Sequence, residues 1–503
     1  MLKRNHPFVL LGISLLTAIA TTSHADSETR KPNILFLFAD DWGDGHASVL
    51  GDPVVKTPAF DRVVREGVRF TNAYVSSPSC TPSRGAILTG QHFWRLGPAA
   101  NLWSTFSADL TVYPDLLASE SGYFIGHTRK GWAPGKVEGR DHPPSGPAFS
   151  NFKEFLDQRP ADQPFCFWFG SRDPHRSARG DGEALRKRMD IDPADVVVPP
   201  MLPDAPAVRE DIAEYYAQVQ RFDTEAGELI RLLETHGELD NTIVIFSSDH
   251  GWSFPRGKTN LYDTGTRVPL AVRWPAGIPV PGRVVTDFVS LADLAATFLE
   301  VGGVEIPEEM TARSLVPLFT SDADGRIDPT RNHVLTGRER HTPAQEQGIS
   351  GGYPMRAIRT DRFLYIRNHH PERWPEGTPH HQKAHTPDGW LGDADNGQTK
   401  FYLWANRDHP EIQPFYELAY GKRPGEELYD LEKDPHQLRN IAGDSAYAKD
   451  RKLLNDRLSQ LLREAGDPRE LDTNTNLDEG KYLGSIPEWP GQEIIDGYRN
   501  PPP

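Results

Sequence analysis

Cysteine is scarce in this chain of 503 residues: only Cys80 and Cys166 occur. That excludes a fold stapled by a disulfide framework and leaves room for one bridge at most. Positive charge is also short, with 55 lysines and arginines against 71 acidic side chains and a formal net charge of −16. So acidic a chain argues against nucleic acid as a partner, because binding a phosphate backbone needs a broad basic face. A polyanionic ligand would have to be drawn by a local cationic pocket, not by the field of the whole protein. Internal repeats and low-complexity tracts are absent, although 43 glycines and 44 prolines point to many loops.

One apolar run stands out near the N-terminus, from Phe8 to Ala20, preceded by Lys3 and Arg4 and followed by Ser23-His24-Ala25. This is the pattern of a secretory signal ending near residue 25, and the run is short for a membrane span. The mature chain is expected to be exported, secreted or periplasmic, with no membrane span. Its length predicts two domains. A change of texture near residue 350 divides them into residues 26–350 and 351–503.

Asn33-Ile34-Leu35-Phe36-Leu37-Phe38 and Thr242-Ile243-Val244-Ile245-Phe246-Ser247 are continuous apolar runs, as in strands buried on both faces. Residues 68–75 and 122–125 read as further extended segments, and Cys166, within Phe165–Phe169, as a buried strand residue. Helices are predicted over 57–66, 80–90, 109–120, 210–235 and 291–301. The clearest is 210–235, where Ile212, Tyr215, Val219, Phe222, Ala226, Leu229 and Leu233 recur at helical spacing. Alternating strands and helices imply an α/β fold with a large, mixed, mostly parallel sheet sandwiched by helices. After residue 350, short strands at 356–359, 363–366 and 427–431 and a helix over 444–465 imply a smaller α+β domain with an antiparallel sheet. Residues 471–503 read as a tail along the surface.

Asp40-Asp41 and Asp249-His250 stand at the ends of the two apolar strands, where parallel sheets bind ligands. Three carboxylates and an imidazole suit a hard divalent cation. Cys80-Thr81-Pro82-Ser83-Arg84, followed by Gly85-Ala86-Ile87-Leu88-Thr89-Gly90, places a cysteine at the positive end of a predicted helix.

Together these motifs resemble type I sulfatases of the alkaline phosphatase superfamily, within which the chain is most similar to N-sulfoglucosamine sulfohydrolases, the heparan N-sulfatases. The resemblance is carried by residues 33–41, 80–90, 195–203, 246–251, 254–262 and 427–435, and by Asp173-Pro174-His175-Arg176. It implies an alkaline phosphatase-like fold and hydrolysis of a sulfate ester or sulfamate on a sulfated oligo- or polysaccharide. It also implies that Cys80 is oxidised to formylglycine by a maturation enzyme, and that Arg84 steadies the hydrate. Asp40, Asp41, Asp249, His250 and the oxidised residue 80 would hold one ion, calcium rather than magnesium. Lys130 and Lys258 would bind sulfate, and His175 would meet the leaving group.

One departure is plain: the family's usual lysine motif has histidine two places on, where this chain has Trp132. His127 and His175 are candidates to cover that role. Trp42, Trp132 and Trp252 are candidates to stack on sugar rings. Arg340, His341 and Trp374 are candidate substrate contacts from the polar, aromatic stretch beyond residue 337. Two other readings stay open at this point: a phosphonate or phosphodiester hydrolase of the same superfamily, and a non-catalytic sulfoglycan-binding protein if Cys80 stays a thiol.

Overall fold

The computed structural model describes residues 1–2, 30–176, 180–471 and 476–499, so most of the expected signal segment lies outside the described residues. Among the described residues no helix is long and apolar enough to cross a membrane. The described residues form thirteen strands: β1 Asn33–Asp40, β2 Val68–Tyr74, β3 Ser104–Phe106, β4 Phe124–Arg129, β5 Gly135–Val137, β6 Phe165–Pro174, β7 Thr242–Ser248, β8 Leu270–Arg273, β9 Arg283–Ser290, β10 His333–Arg338, β11 Met355–Thr360, β12 Phe363–Asn368 and β13 Glu426–Asp430. Seven form the main sheet in the order β4-β6-β1-β7-β8-β2-β9, parallel except for β8. A second, antiparallel sheet runs β10-β11-β12-β13, and β3 pairs with β5. The fold is thus the α/β arrangement expected, with the second sheet beginning at His333.

Alternation along β1 explains why its apolar run is unbroken. Ile34, Phe36 and Phe38 pack into one core cluster while Leu35, Leu37 and Ala39 pack into another, so both faces are dry. The long helix Pro206–Thr235 covers the second face with Ile212, Val219, Phe222, Ala226 and Leu233. Burying Ile212, Val219, Phe222 and Leu233 is worth roughly 1.5–3 kcal/mol each.

Most expected elements form with shifted ends. α1 is Pro58–Glu66, but the Thr57 hydroxyl donates to Asp61 Oδ1 at 3.0 Å and does not cap the helix. α2 is Cys80–Thr89, every residue of it buried, and it stops at Gly90 in a left-handed conformation (φ 61°). α3 is Tyr113–Ser121, shorter than predicted because Val112 stays extended and Pro114 opens the first turn. Cys166 is buried in β6, and both cysteines are free.

Candidate functional site

Parallel pairing brings the chemistry together. In the order β4-β6-β1-β7, four neighbouring strands point their carboxyl ends the same way. Lys130 follows β4, His175 follows β6, Asp40-Asp41 close β1, and Asp249-His250 follow β7. Ala39 lies opposite Ser248 in the register, which sets Asp40-Asp41 and Asp249-His250 side by side. Gly170 permits the approach from β6: a Cβ there would lie 1.8 Å from the Lys130 carbonyl oxygen. Asp41 leaves the strand in a left-handed conformation (φ 74°), which Asp tolerates better than most side chains.

Cys80, first residue of α2, points into this cluster with Sγ 3.3 Å from His250 Nε2 and 3.7 Å from Asp40 Oδ1. Burial pushes its thiol pKa well up, so an unmodified Cys80 would hold its proton and be a poor nucleophile at neutral pH. Arg84, one turn on, donates from Nε to Asp249 Oδ2 at 2.8 Å and from Nη1 to the carbonyls of Lys130 at 2.7 Å and Gly131 at 3.0 Å. Lys130 Nζ reaches both oxygens of Asp40, at 2.6 and 2.7 Å. Burial alone would raise the Asp40 carboxyl, but Lys130, with His175 and Arg84, holds it well below the usual carboxylate range.

Lys258 Nζ lies 3.2 Å from Asp41 Oδ2, 3.0 Å from Asp395 Oδ2 and 3.1 Å from His175 Nε2. Burial works against its charge, yet Asp395 and Asp41 hold the ammonium well above its ordinary pKa. His175 Nδ1 sits 2.8 Å from the Arg176 carbonyl, so Nδ1 carries a proton and Nε2 turns toward Lys258.

The cluster suits a cation. His250 Nδ1 is 3.0 Å from the Gly251 carbonyl, which can only accept, so the neutral ring offers a lone pair at Nε2. That lone pair faces Asp41 Oδ1 at 3.1 Å, a buried oxygen that makes no hydrogen bond. Two acceptors facing each other in a dry site call for a positive charge between them. Asp41, Cys80 and His250 form one compact set of ligand atoms, and Asp40, Cys80 and Asp249 another.

A cavity of about 580 Å³ opens over Cys80, lined also by Asp40, Lys130, His175, Lys258 and His341. Of the three substrate-contact candidates only His341 reaches it, its Nδ1 2.8 Å from Ser79 Oγ. Arg340 is buried and turned toward the carbonyls of Asp478 and Gly480, and Trp374 lines a separate depression with His380 and His381. Trp42, Trp132 and Trp252 are buried at 0, 5 and 2% exposure and pack against Phe60, Phe106 and Phe254, so they do not offer faces to a sugar. His127 is buried against the Gly146 carbonyl and is not part of the cavity wall, which leaves His175 and His341 as its imidazoles.

Sequence reasoning missed Asp395, which stands in a glycine- and acid-rich loop without helical or strand periodicity. It also missed Trp103 on the wall. The tail read as merely superficial supplies Tyr482, Ser485 and Pro487 to the same wall. Their only signal was aromatic and proline content in a segment otherwise polar.

The chain has relatives among known proteins. The family description Sulfatase matches residues 32–108 and 145–304, and N-sulphoglucosamine sulphohydrolase, C-terminal, matches 248–371. The chain is 29% identical to N-sulphoglucosamine sulphohydrolase of Homo sapiens, over 87% of this chain and 91% of that protein. It is 28% identical to an ulvan-active sulfatase of Formosa agariphila, over 86% and 80%. It is also 25% identical to N-acetylglucosamine-6-O-sulfatase of Bacteroides thetaiotaomicron, over 94% of each. In fold it resembles a protein solved with its substrate D-glucosamine-2-N,6-O-disulfate, at TM-score 0.61 and 20% identity over 88% of this chain and 100% of that one. The phosphonate monoester hydrolase of Agrobacterium radiobacter shares the fold at TM-score 0.59 and 19% identity, over 86% and 96%. The chain therefore belongs to the sulfatase family and is similar along most of its length to N-sulphoglucosamine sulphohydrolase: it is a sulfatase, an enzyme that hydrolyses sulfate esters.

Proposed function

We propose that this sulfatase removes sulfate from sulfated carbohydrates, with residue 80 oxidised from cysteine to formylglycine. Asp40, Asp41, Asp249 and His250 would hold one calcium ion beside it. The reading is carried by the meeting of Cys80, on a helix N-terminus, with three carboxylates, an imidazole and two lysines at one edge of the sheet. When bound, the ion supplies positive charge to the sulfate and acidifies a hydroxyl beside it. The oxidised and hydrated side chain supplies an oxygen nucleophile that, unlike serine, can shed its sulfate by returning to the aldehyde.

The remaining work falls to side chains already in place. Lys130 and Lys258 present ammonium donors held by Asp40 and by Asp41 with Asp395, so little reorganisation is needed when sulfate arrives. Arg84 ties Asp249 to the backbone around Lys130 and so fixes the distance between cation ligands and sulfate-binding lysine. His175, whose Nδ1–H is held by the Arg176 carbonyl, serves as the acid when Nε2 carries a second proton, and that imidazolium gives its Nε2 proton to the departing oxygen or nitrogen. The sugar itself is supported by the names of the similar proteins and by half-buried Trp103 on the cavity wall, whose ring suits a pyranose face. Export, and maturation by a formylglycine-generating enzyme, complete the reading.

Expression with and without a formylglycine-generating enzyme tests it. Peptide mass spectrometry should find the aldehyde at residue 80 only in the matured protein. Only that protein should release sulfate from N- or O-sulfated glucosamine. Cys80→Ala should unfold at an ordinary denaturant concentration yet turn nothing over. Equal activity of thiol and aldehyde forms, or faster cleavage of an aryl phosphonate ester than of any sulfate, would overturn it.

A further inference from the structure

β6 is buried at every position but one, and the exception is Arg172. The strand keeps register with β1 up to Gly170 opposite Phe38. It then needs four residues to reach Pro174, opposite Asp40, while β1 needs two. The surplus makes a bulge, and bulges beside active sites re-aim side chains. Here the bulge sends Arg172 out of the sheet and onto the wall of the cavity that holds Cys80.

Its charge is the unmatched one. Lys130 is balanced by Asp40, Lys258 by Asp41 and Asp395, and Arg129, also on the wall, by a two-pronged pair with Glu225. Arg172 has no carboxylate partner among the described residues. In a chain of net charge −16 the wall thus keeps one cation, Arg172, beyond those that Asp40, Asp41, Asp395 and Glu225 already engage. Arg172 is the local positive charge that the acidic composition requires of an anion-binding protein.

We propose that Arg172 is a specificity-determining residue that binds a second anionic group of the substrate, a carboxylate or a further sulfate, while the lysines hold the sulfate being cleaved. The inference rests on the carbohydrate reading above. A single sulfate ester brings one negative charge, and Lys130 and Lys258 already converge on it. An exposed guanidinium on the same wall matches a planar carboxylate or a sulfate edge with parallel N–H donors. Substrate that covers the cavity would also remove water from around Arg172 and strengthen the contact.

The test compares kcat/KM of matured wild type, Arg172→Ala, Arg172→Gln and Arg172→Lys. The substrates are a monosulfated glucosamine, a disulfated glucosamine, and a monosulfated glucosamine linked to a uronic acid. The ratio of doubly to singly anionic turnover should fall about tenfold in the Ala and Gln variants, the worth of one charge-assisted hydrogen bond. Lys should restore part of it, and added salt should shrink the difference. Loss confined to the disulfated or to the uronate substrate identifies the anion. An unchanged ratio for both, with sugars still desulfated, overturns the role of Arg172 alone and leaves an ordinary surface charge. Cleavage of nitrophenyl sulfate but of no sulfated sugar overturns the carbohydrate reading and this proposal with it.

Discussion

Arg84 and Asp249 form an ion pair with no solvent access: Nε lies 2.8 Å from Oδ2 and both side chains are 0% exposed. Such a pair is costly to assemble and costlier to break, because the survivor is left charged in a dry site. Arg84→Ala should lose about 3–5 kcal/mol of stability in denaturant unfolding. Arg84→Lys should recover little, since one ammonium cannot reach Asp249 and two carbonyls together. A loss below about 1 kcal/mol would show that Asp249 finds water or another partner.

The unpaired Asp41 Oδ1 and the lone pair of His250 predict dependence on a cation. Extensive chelation should lower the melting temperature and abolish turnover. Calcium at about 100 times its Kd should restore roughly 2.7 kcal/mol. Asp41→Asn should blunt that calcium response. Melting curves that ignore both chelator and calcium would rule the ion out.

Asp395 was invisible in the sequence, yet it grips Lys258 at 3.0 Å. Asp395→Asn keeps the shape and removes the charge. It should lower kcat/KM on the order of 10- to 100-fold, the range for a hydrogen bond to a charged group. Unaltered kinetics would mean that Asp41 alone holds the lysine.

Glu376 lies behind the loop carrying Lys258, accepting from Thr259 Oγ1 at 3.0 Å and Asn260 Nδ2 at 2.7 Å. Burial pushes its carboxyl up to about 8. A raised acid contributes stability that is complete below its unfolded pKa of roughly 4.3 and is lost as pH rises through 8. Glu376→Gln, isosteric and always neutral, should therefore be least favourable relative to wild type in acid and gain on it steadily toward pH 9. Parallel stability curves for the two proteins from pH 5 to 9 would contradict the assignment.

Much of the scaffold was legible because its signals are local. Unbroken apolar runs at 33–38 and 242–247 announce strands covered on both faces, and the polar residues that end them fall at the sheet's carboxyl edge without further instruction. The helix over Pro206–Thr235 shows itself by spacing alone. Element ends were less legible, as at α3, where Pro114 sets the start and Asp109 does not.

The tryptophans show the limit. Trp42, Trp132 and Trp252 lie next to the motifs in sequence, and their burial removes them from the cavity. Trp103, distant from every motif, is on its wall. Composition cannot tell a packing indole from an exposed one, since both are apolar and aromatic.

The sequence by itself determined which groups are available: the thiol at a helix start, Asp40-Asp41 and Asp249-His250 at two strand ends, and the lysines and His175. Parallel pairing of apolar strands then leaves those groups little choice but to meet. The tertiary structure alone decided what surrounds them. Asp395, His341 and the tail around Tyr482 reach the cavity through loops with no period, brought in by packing contacts between residues far apart in the chain, and Arg172 reaches it through a bulge that only the pairing of β6 with β1 reveals.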